Sequence, residues 1–286
     1  LLWLPEGSGS ALTDGGSYAF DDDWSSADED EPNACLYSKA DMVIAGGGSL
    51  TVNGNYNKNR ITKLLNGVDS YEANGLRLEV GHAYGDFYGP IWSHVDPRDG
   101  QNVWIDGNGN ETKQQPDDSY NVMTRKSYIA PWSGGLLSTL TWKGFELDVQ
   151  FTGMFGRYMY NNERWFSENP TFATQLNQST SMFHMWQKPG DVTDIAAADA
   201  TYQYGDTRLL ENASFVRLKY LQLSYSFPKK WMDATHFLKG AKVFFVGRNL
   251  LTFTGYKGYD PEVDSDYTLG NYPNTLQISF GAELTF

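Results

Sequence analysis

The chain has 286 residues, 15% of them aromatic, with 29 glycines and a formal net charge of -13. That sign argues against a nucleic-acid partner, whose phosphates require a basic face, and Cys35, the one cysteine, leaves neither an intrachain disulfide nor a cysteine-based zinc site. No run of about 18 apolar residues exists, which excludes a transmembrane helix but not a membrane β-barrel, whose strands need only about 10 alternating residues.

Most of the charge is local. Residues 1–32 hold nine acids and no Lys or Arg, which leaves -4 for the other 254 residues. GGSYAFDDDWSSADEDEP reads as a solvated loop or arm, and residues 1–48 are set apart as an acidic loop or unassigned segment. LLWLPEGSGS lacks a basic region followed by an apolar stretch, so it is not expected to be an export signal. SLTVNGNY (49–56) and GLRLEV (75–80) are two weaker strands. GLLSTLTW and KGFELDVQFTGMF, separated by Lys143 and Gly144, predict a tight hairpin. In the second of these, Phe145, Leu147, Val149 and Phe151 fall on one face and Glu146, Asp148 and Gln150 on the other, which predicts lipid and lumen sides respectively. SFVRLKYLQLSYSF places Phe215, Leu221, Leu223, Tyr225 and Phe227 on one face, with Gln222, Ser224 and Ser226 opposite. AKVFFVGRNLLTF follows a short link. LQISFGAELTF, the last stretch, alternates without error from Leu276 to Phe286. Long polar segments at about 81–129, 158–212 and 254–274 separate the pairs. Short connections at one end and long ones at the other are how outer-membrane barrels are built, whereas a β-sandwich has more even loops.

Enzyme chemistry finds little support. His82, His94, His184 and His236 have no metal-ligand spacing, and no G-x-S-x-G motif accompanies them; His82 and His94 read as solvated loop residues. Asp106, Asn108 and Asn110 in DGNGN imitate half of a calcium loop, but no Glu stands at the twelfth position, so a Gly/Asn turn is the better reading. No metal and no cofactor are expected. Trp92, Trp104, Trp165 and Trp186 lie in segments read as loops, where a flat ring can stack on a sugar or peptide; packing within the loop or an interfacial belt is the competing role. These four are the candidate substrate-contacting aromatics.

The final SFGAELTF, with Ser279, Gly281, Leu284 and Phe286, resembles the C-terminal signal by which the assembly machinery of bacterial outer membranes reads a barrel's last strand. A terminal strand of this kind offers a free edge and an apolar face, with Gly281 read as a point of close approach to the machinery. ENASFVRLKYLQLSYSFPKKW, KVFFVGRNLLTFTGYKGYDPEV and the terminal strand resemble the C-terminus of the SusC/RagA family of TonB-dependent outer-membrane transporters. NYNKNRITKL, VGHAYGDFYG, WKGFELDVQFTGMFG and MWQKPGDVTDI resemble family segments in the same order, across about 49–286. The resemblance implies an all-β fold: about 8–10 antiparallel strands forming the C-terminal part of a larger, plugged barrel of about 22 strands, with long extracellular loops and short periplasmic turns. It also implies the bacterial outer membrane, import of oligosaccharide or peptide, a SusD-like surface lipoprotein, TonB acting through an upstream region, and the barrel-assembly machinery as partners. Nothing in the sequence resembles a plug. Two other readings stay open: a soluble or surface-attached β-rich glycan-binding module, and a small self-contained porin-like barrel.

Overall fold

The computed structural model describes residues 36–42, 47–73, 76–263 and 267–286. The first 35 residues, with most of the acidic segment and Cys35, lie outside the described residues. The strands are β1 (Leu36–Met42), β2 (Gly48–Tyr56), β3 (Ser70–Ala73), β4 (Leu76–Glu79), β5 (Asp86–Val95), β6 (Asn102–Ile105), β7 (Glu111–Thr112), β8 (Asn121–Ser127), β9 (Trp132–Trp142), β10 (Phe145–Phe155), β11 (Tyr158–Asn161), β12 (Leu210–Asn212), β13 (Phe215–Ser226), β14 (Gly240–Thr254), β15 (Tyr267–Thr268) and β16 (Gln277–Thr285). Two short helices, α1 (Asn162–Ser167) and α2 (Lys229–Asp233), lie among them.

One antiparallel sheet organises the molecule, in the order β1-β2-β9-β10-β13-β14-β16. Its seven strands are fewer than the eight to ten expected, and among the described residues the sheet does not close. GLRLEV accounts for one of the missing strands. Leu76–Glu79 pairs locally with Ser70–Ala73, because four residues are too few to span a bilayer core. Short connections gather at one end. Lys143 and Gly144 both have positive φ (47° and 88°), as a two-residue turn that follows the strands' right-handed twist requires. At that same end, α2 bridges β13 to β14, and Lys239 N donates to Thr285 O (2.7 Å). Residues 57–131, 156–214 and 255–276 all leave from the opposite end.

Register sorts the side chains into two faces. Phe145, Leu147, Val149 and Phe151 stand opposite Tyr225, Leu223, Leu221 and Leu218. The same row runs on through Val243 and Phe245 of β14 to Ala282 and Phe280 of β16. The other face is polar: Thr139 Oγ1 donates to Asp148 Oδ1 (2.6 Å), and Lys242 Nζ lies 3.0 Å from Glu146 Oε1. Unbroken alternation fails at one place. Against β10 the register shifts at Gln150/Phe151, where Lys219 is the extra residue of a β-bulge, and against β14 the two residues Asn249 and Leu250 lie opposite it. Residues before it change face. Phe215 therefore lies beside Met154 on the polar face, buried, and not with Leu221 and Tyr225.

The loop-end segments supply nearly all of the apolar core: Val95, Val103, Trp104, Tyr120, Met159, Tyr160, Ile195, Leu209 and Tyr256 are buried. Segment 81–129, read as loop, holds the four-stranded sheet β7-β6-β5-β8. By contrast the apolar row of the main sheet stays open to its surroundings at Leu140, Leu251, Phe253 and Phe280. A water-soluble sheet would cover such a row.

Candidate functional site

On the polar face, at the loop end, the bulge turns Arg217 inward. Its Nη2 donates to Asp260 Oδ1 (2.6 Å), Nη1 to Glu262, and Nε to Thr252 Oγ1 (2.9 Å). Lys219, also turned inward, reaches Glu262 Oε1 (2.7 Å). Arg217 and Asp260 are both almost wholly buried. Burial alone would raise the Asp260 carboxyl; hydrogen bonds from Arg217 and from the Asn274 and Glu262 amides outweigh it and hold Asp260 below the usual carboxylate range. The Tyr259–Val263 turn is thereby fixed over the sheet, and Arg157 adds bonds to the carbonyls of Pro261 (3.2 Å) and Val263. Glu211 binds the same region, accepting from Arg164 Nη1 (2.6 Å) and from the Lys257 amide (2.8 Å).

Below this turn a cavity of about 480 Å³ opens on the polar face, lined by Asn53, Asn55, Ser133, Thr152, Met154 and Glu262 among others. Asn55 Oδ1 and Thr152 Oγ1 are buried here without a hydrogen-bond partner among the described residues. Glycines shape its wall: a Cβ on Gly134 would lie 2.6 Å from Asn53 O, so no larger residue lets β2 and β9 pair this closely. The groove offers hydroxyl, amide and carboxylate oxygens beside Met154 and Phe215. Such a surface can hold a polar organic ligand by hydrogen bonds.

The four tryptophans are not gathered there. Trp104 has no exposed surface, and its Nε1 donates to Asp206 Oδ2 (2.8 Å); it is a core residue with no ring face left for a ligand. Trp92 Nε1 donates to Asn102 Oδ1 (2.9 Å), Trp186 Nε1 to Pro97 O (3.2 Å), and Trp165 packs edge-on to Tyr204 and Phe172. These three are half-buried. Burial pushes Asp206, beneath Trp104, up to about 6, against the lowering effect of the indole hydrogen bond and Arg208. His82 and His94 are half-buried, not solvated: His82 Nδ1 is 3.4 Å from Asp86 and His94 Nδ1 is 3.5 Å from Glu111. In DGNGN, Asp106 Oδ1 accepts from the Asn108 and Asn110 amides (2.8 Å each), a closed turn. No metal-binding group occurs among the described residues.

β16 pairs with β14 along one edge, and no described strand pairs with the other. A Cβ on Gly281 would lie 2.2 Å from the Phe244 ring. The glycine thus receives a neighbouring ring, a contact within the sheet. Ser279 stands opposite Val246 and Leu284 opposite Ala241, while the exposed Phe286 ring stacks on Phe237 (centroids 6.2 Å apart). Sequence reading missed Arg217, Asp260 and Glu262. Their signal was present as two of the quoted motifs, SFVRLKY and GYDPEV, whose charges meet only across the fold.

Comparison with known proteins yields two likenesses. The chain is 28% identical over 256 residues to the TonB-dependent receptor SusC of Bacteroides thetaiotaomicron, covering 83% of this chain and 24% of that protein. The solved RagAB peptide importer in its open-open state matches at 34% identity with a TM-score of 0.76, over 87% of this chain and 28% of that one. The chain thus spans about a quarter of the length of such relatives. Residues 2–63 match a family described as carbohydrate-binding domain-containing protein. A protein of that description from Acetivibrio thermocellus is 44% identical over 79 residues, 28% of this chain and 23% of that one. The match runs past the expected boundary at residue 48. The RagAB likeness takes in more residues than lie outside 2–63, so the two overlap, and β2 lies within the carbohydrate-binding match while pairing with β9 outside it.

Proposed function

We propose that this chain, which belongs to the SusC/RagA family of TonB-dependent receptors, supplies the C-terminal sector of the wall of an outer-membrane nutrient importer. The observation that carries this reading is the two-faced sheet: an exposed apolar row from β9 to β16 backed by a polar, ion-paired face. In hydrocarbon the apolar row needs no protein cover, and the polar face with its groove lines a lumen. Import is a gated conformational process without covalent chemistry. Energy comes from TonB through a region upstream, and a SusD-like surface lipoprotein covers the loop end. The cargo is oligosaccharide or peptide, passing the groove of Asn55, Thr152 and Glu262. Fractionation of the full-length gene product tests this: it is expected in the outer-membrane fraction, and recovery in the cytoplasm would overturn the reading.

A second reading rests on the match over residues 2–63: a glycan-binding segment joined to the receptor sheet through β2. It makes glycan the cargo or the surface ligand. A free-standing binding module stays monodisperse in plain buffer, whereas the barrel sector requires detergent.

A further inference from the structure

We infer that the short-turn end of the sheet binds the phosphate headgroups of anionic phospholipid, an inference that rests on the membrane reading above. Charge is sorted along the strands. The three loop-end segments, 57–131, 156–214 and 255–276, carry 13 Lys and Arg against 21 Asp and Glu. The turn end reverses that balance: Lys143, Lys229, Lys230 and Lys239 are exposed, none makes an ion pair with a described residue, and Asp233 is the one acid among the residues of the two links.

These lysines stand on an aromatic collar. Trp142, Phe145, Trp231, Phe237 and Phe286 are all exposed at this end, joined in part by ring contacts: Trp142 with Phe145 and Phe237 with Phe286. The Lys143 ammonium sits 5.0 Å from the centre of the Trp142 ring. Aromatic rings of this kind settle at headgroup depth, between hydrocarbon and water. Lysines beside them extend along the rings and hold their ammonium groups where lipid phosphates lie. In a chain of net charge -13, an unpaired basic rim adjoining an apolar wall is complementary to an anionic leaflet and not to the protein itself.

The test uses the full-length gene product that carries these residues, purified in zwitterionic detergent, mixed with phosphatidylcholine alone or with equal parts of phosphatidylcholine and phosphatidylglycerol, repurified, and its bound lipid measured. Wild type is expected to enrich phosphatidylglycerol, and the K143Q/K229Q/K230Q/K239Q variant to lose that enrichment by at least about fivefold while holding as much phosphatidylcholine as before. The corresponding four Lys→Arg changes should keep it. Equal enrichment in wild type and the glutamine variant overturns the inference and leaves the membrane reading standing, as does full displacement by inorganic phosphate, which would mark a simple anion site. Failure of wild type to hold either lipid removes the membrane reading, and the inference with it.

Discussion

Arg217 answers to two carboxylates and one hydroxyl, and it does so from almost complete burial. Removing one partner of such a group leaves the other charge stranded, which costs about 3–5 kcal/mol. Arg217→Met is therefore expected to lower unfolding free energy by about that amount, with Asp260→Asn in the same background recovering part of it, as read by denaturant unfolding in detergent. Asp206 gives a pH test. Its pKa is raised by burial to about 6 from 3.8, so the folded state holds a proton that the unfolded state releases. The contribution is fully present below pH 4 and is lost as pH rises toward 6. The shift corresponds to about 3 kcal/mol. Asp206→Asn keeps an acceptor for the Trp104 indole, and its stability should stay flat from pH 4 to 7 where wild type declines.

At the scale of the element, face assignment decides what a strand tolerates. Leu147 lies on the exposed apolar row between Phe145 and Val149. Leu147→Arg in the full-length protein puts a charge on the lipid-facing row one step in from the aromatic collar, about 1 kcal/mol unfavourable at that depth, and should lower the amount of folded receptor in the outer membrane. An unchanged level would place this row away from lipid. The terminal strand behaves differently. Phe286 stacks on Phe237 and stays exposed, so its removal costs little in the finished sheet. Deletion of Phe286 should nevertheless cut surface levels sharply if the terminus is read during assembly, and surface labelling of the full-length protein checks this.

At the scale of the whole molecule, the seven strands of the main sheet among the described residues, with an unpaired edge on β16, do not enclose a lumen. Each unpaired backbone group held in hydrocarbon costs several kcal/mol, so closure requires strands beyond those of this sheet. The 286-residue chain reconstituted by itself in liposomes should show no TonB-dependent uptake of oligosaccharide or peptide. Measured uptake would defeat that expectation and require a small barrel that closes on itself. The loop end bears on the same point, since most of the buried apolar residues lie there and not between strands. A barrel wall keeps little core of its own because one face meets lipid and the other the lumen.

The strands themselves were legible. Period-two alternation fixes β10 and β16 and their faces without reference to any partner, because successive side chains must point opposite ways. Lys143-Gly144 likewise announced its own turn, and the ordered motifs pointed to the family. Three features were decided only in three dimensions. Lys219 shifts register against β10 by one residue, which no local pattern marks, and so moves Phe215 and Arg217 to the polar face. Trp104 looks like any loop aromatic until β5, β6 and residues near Asp206 close around it. Arg217 meets Asp260 and Glu262 across 43 and 45 residues of chain. Alternation is a property of neighbours in sequence, whereas burial and ion pairing belong to neighbours in space, and a single bulged residue determines which of those neighbours meet.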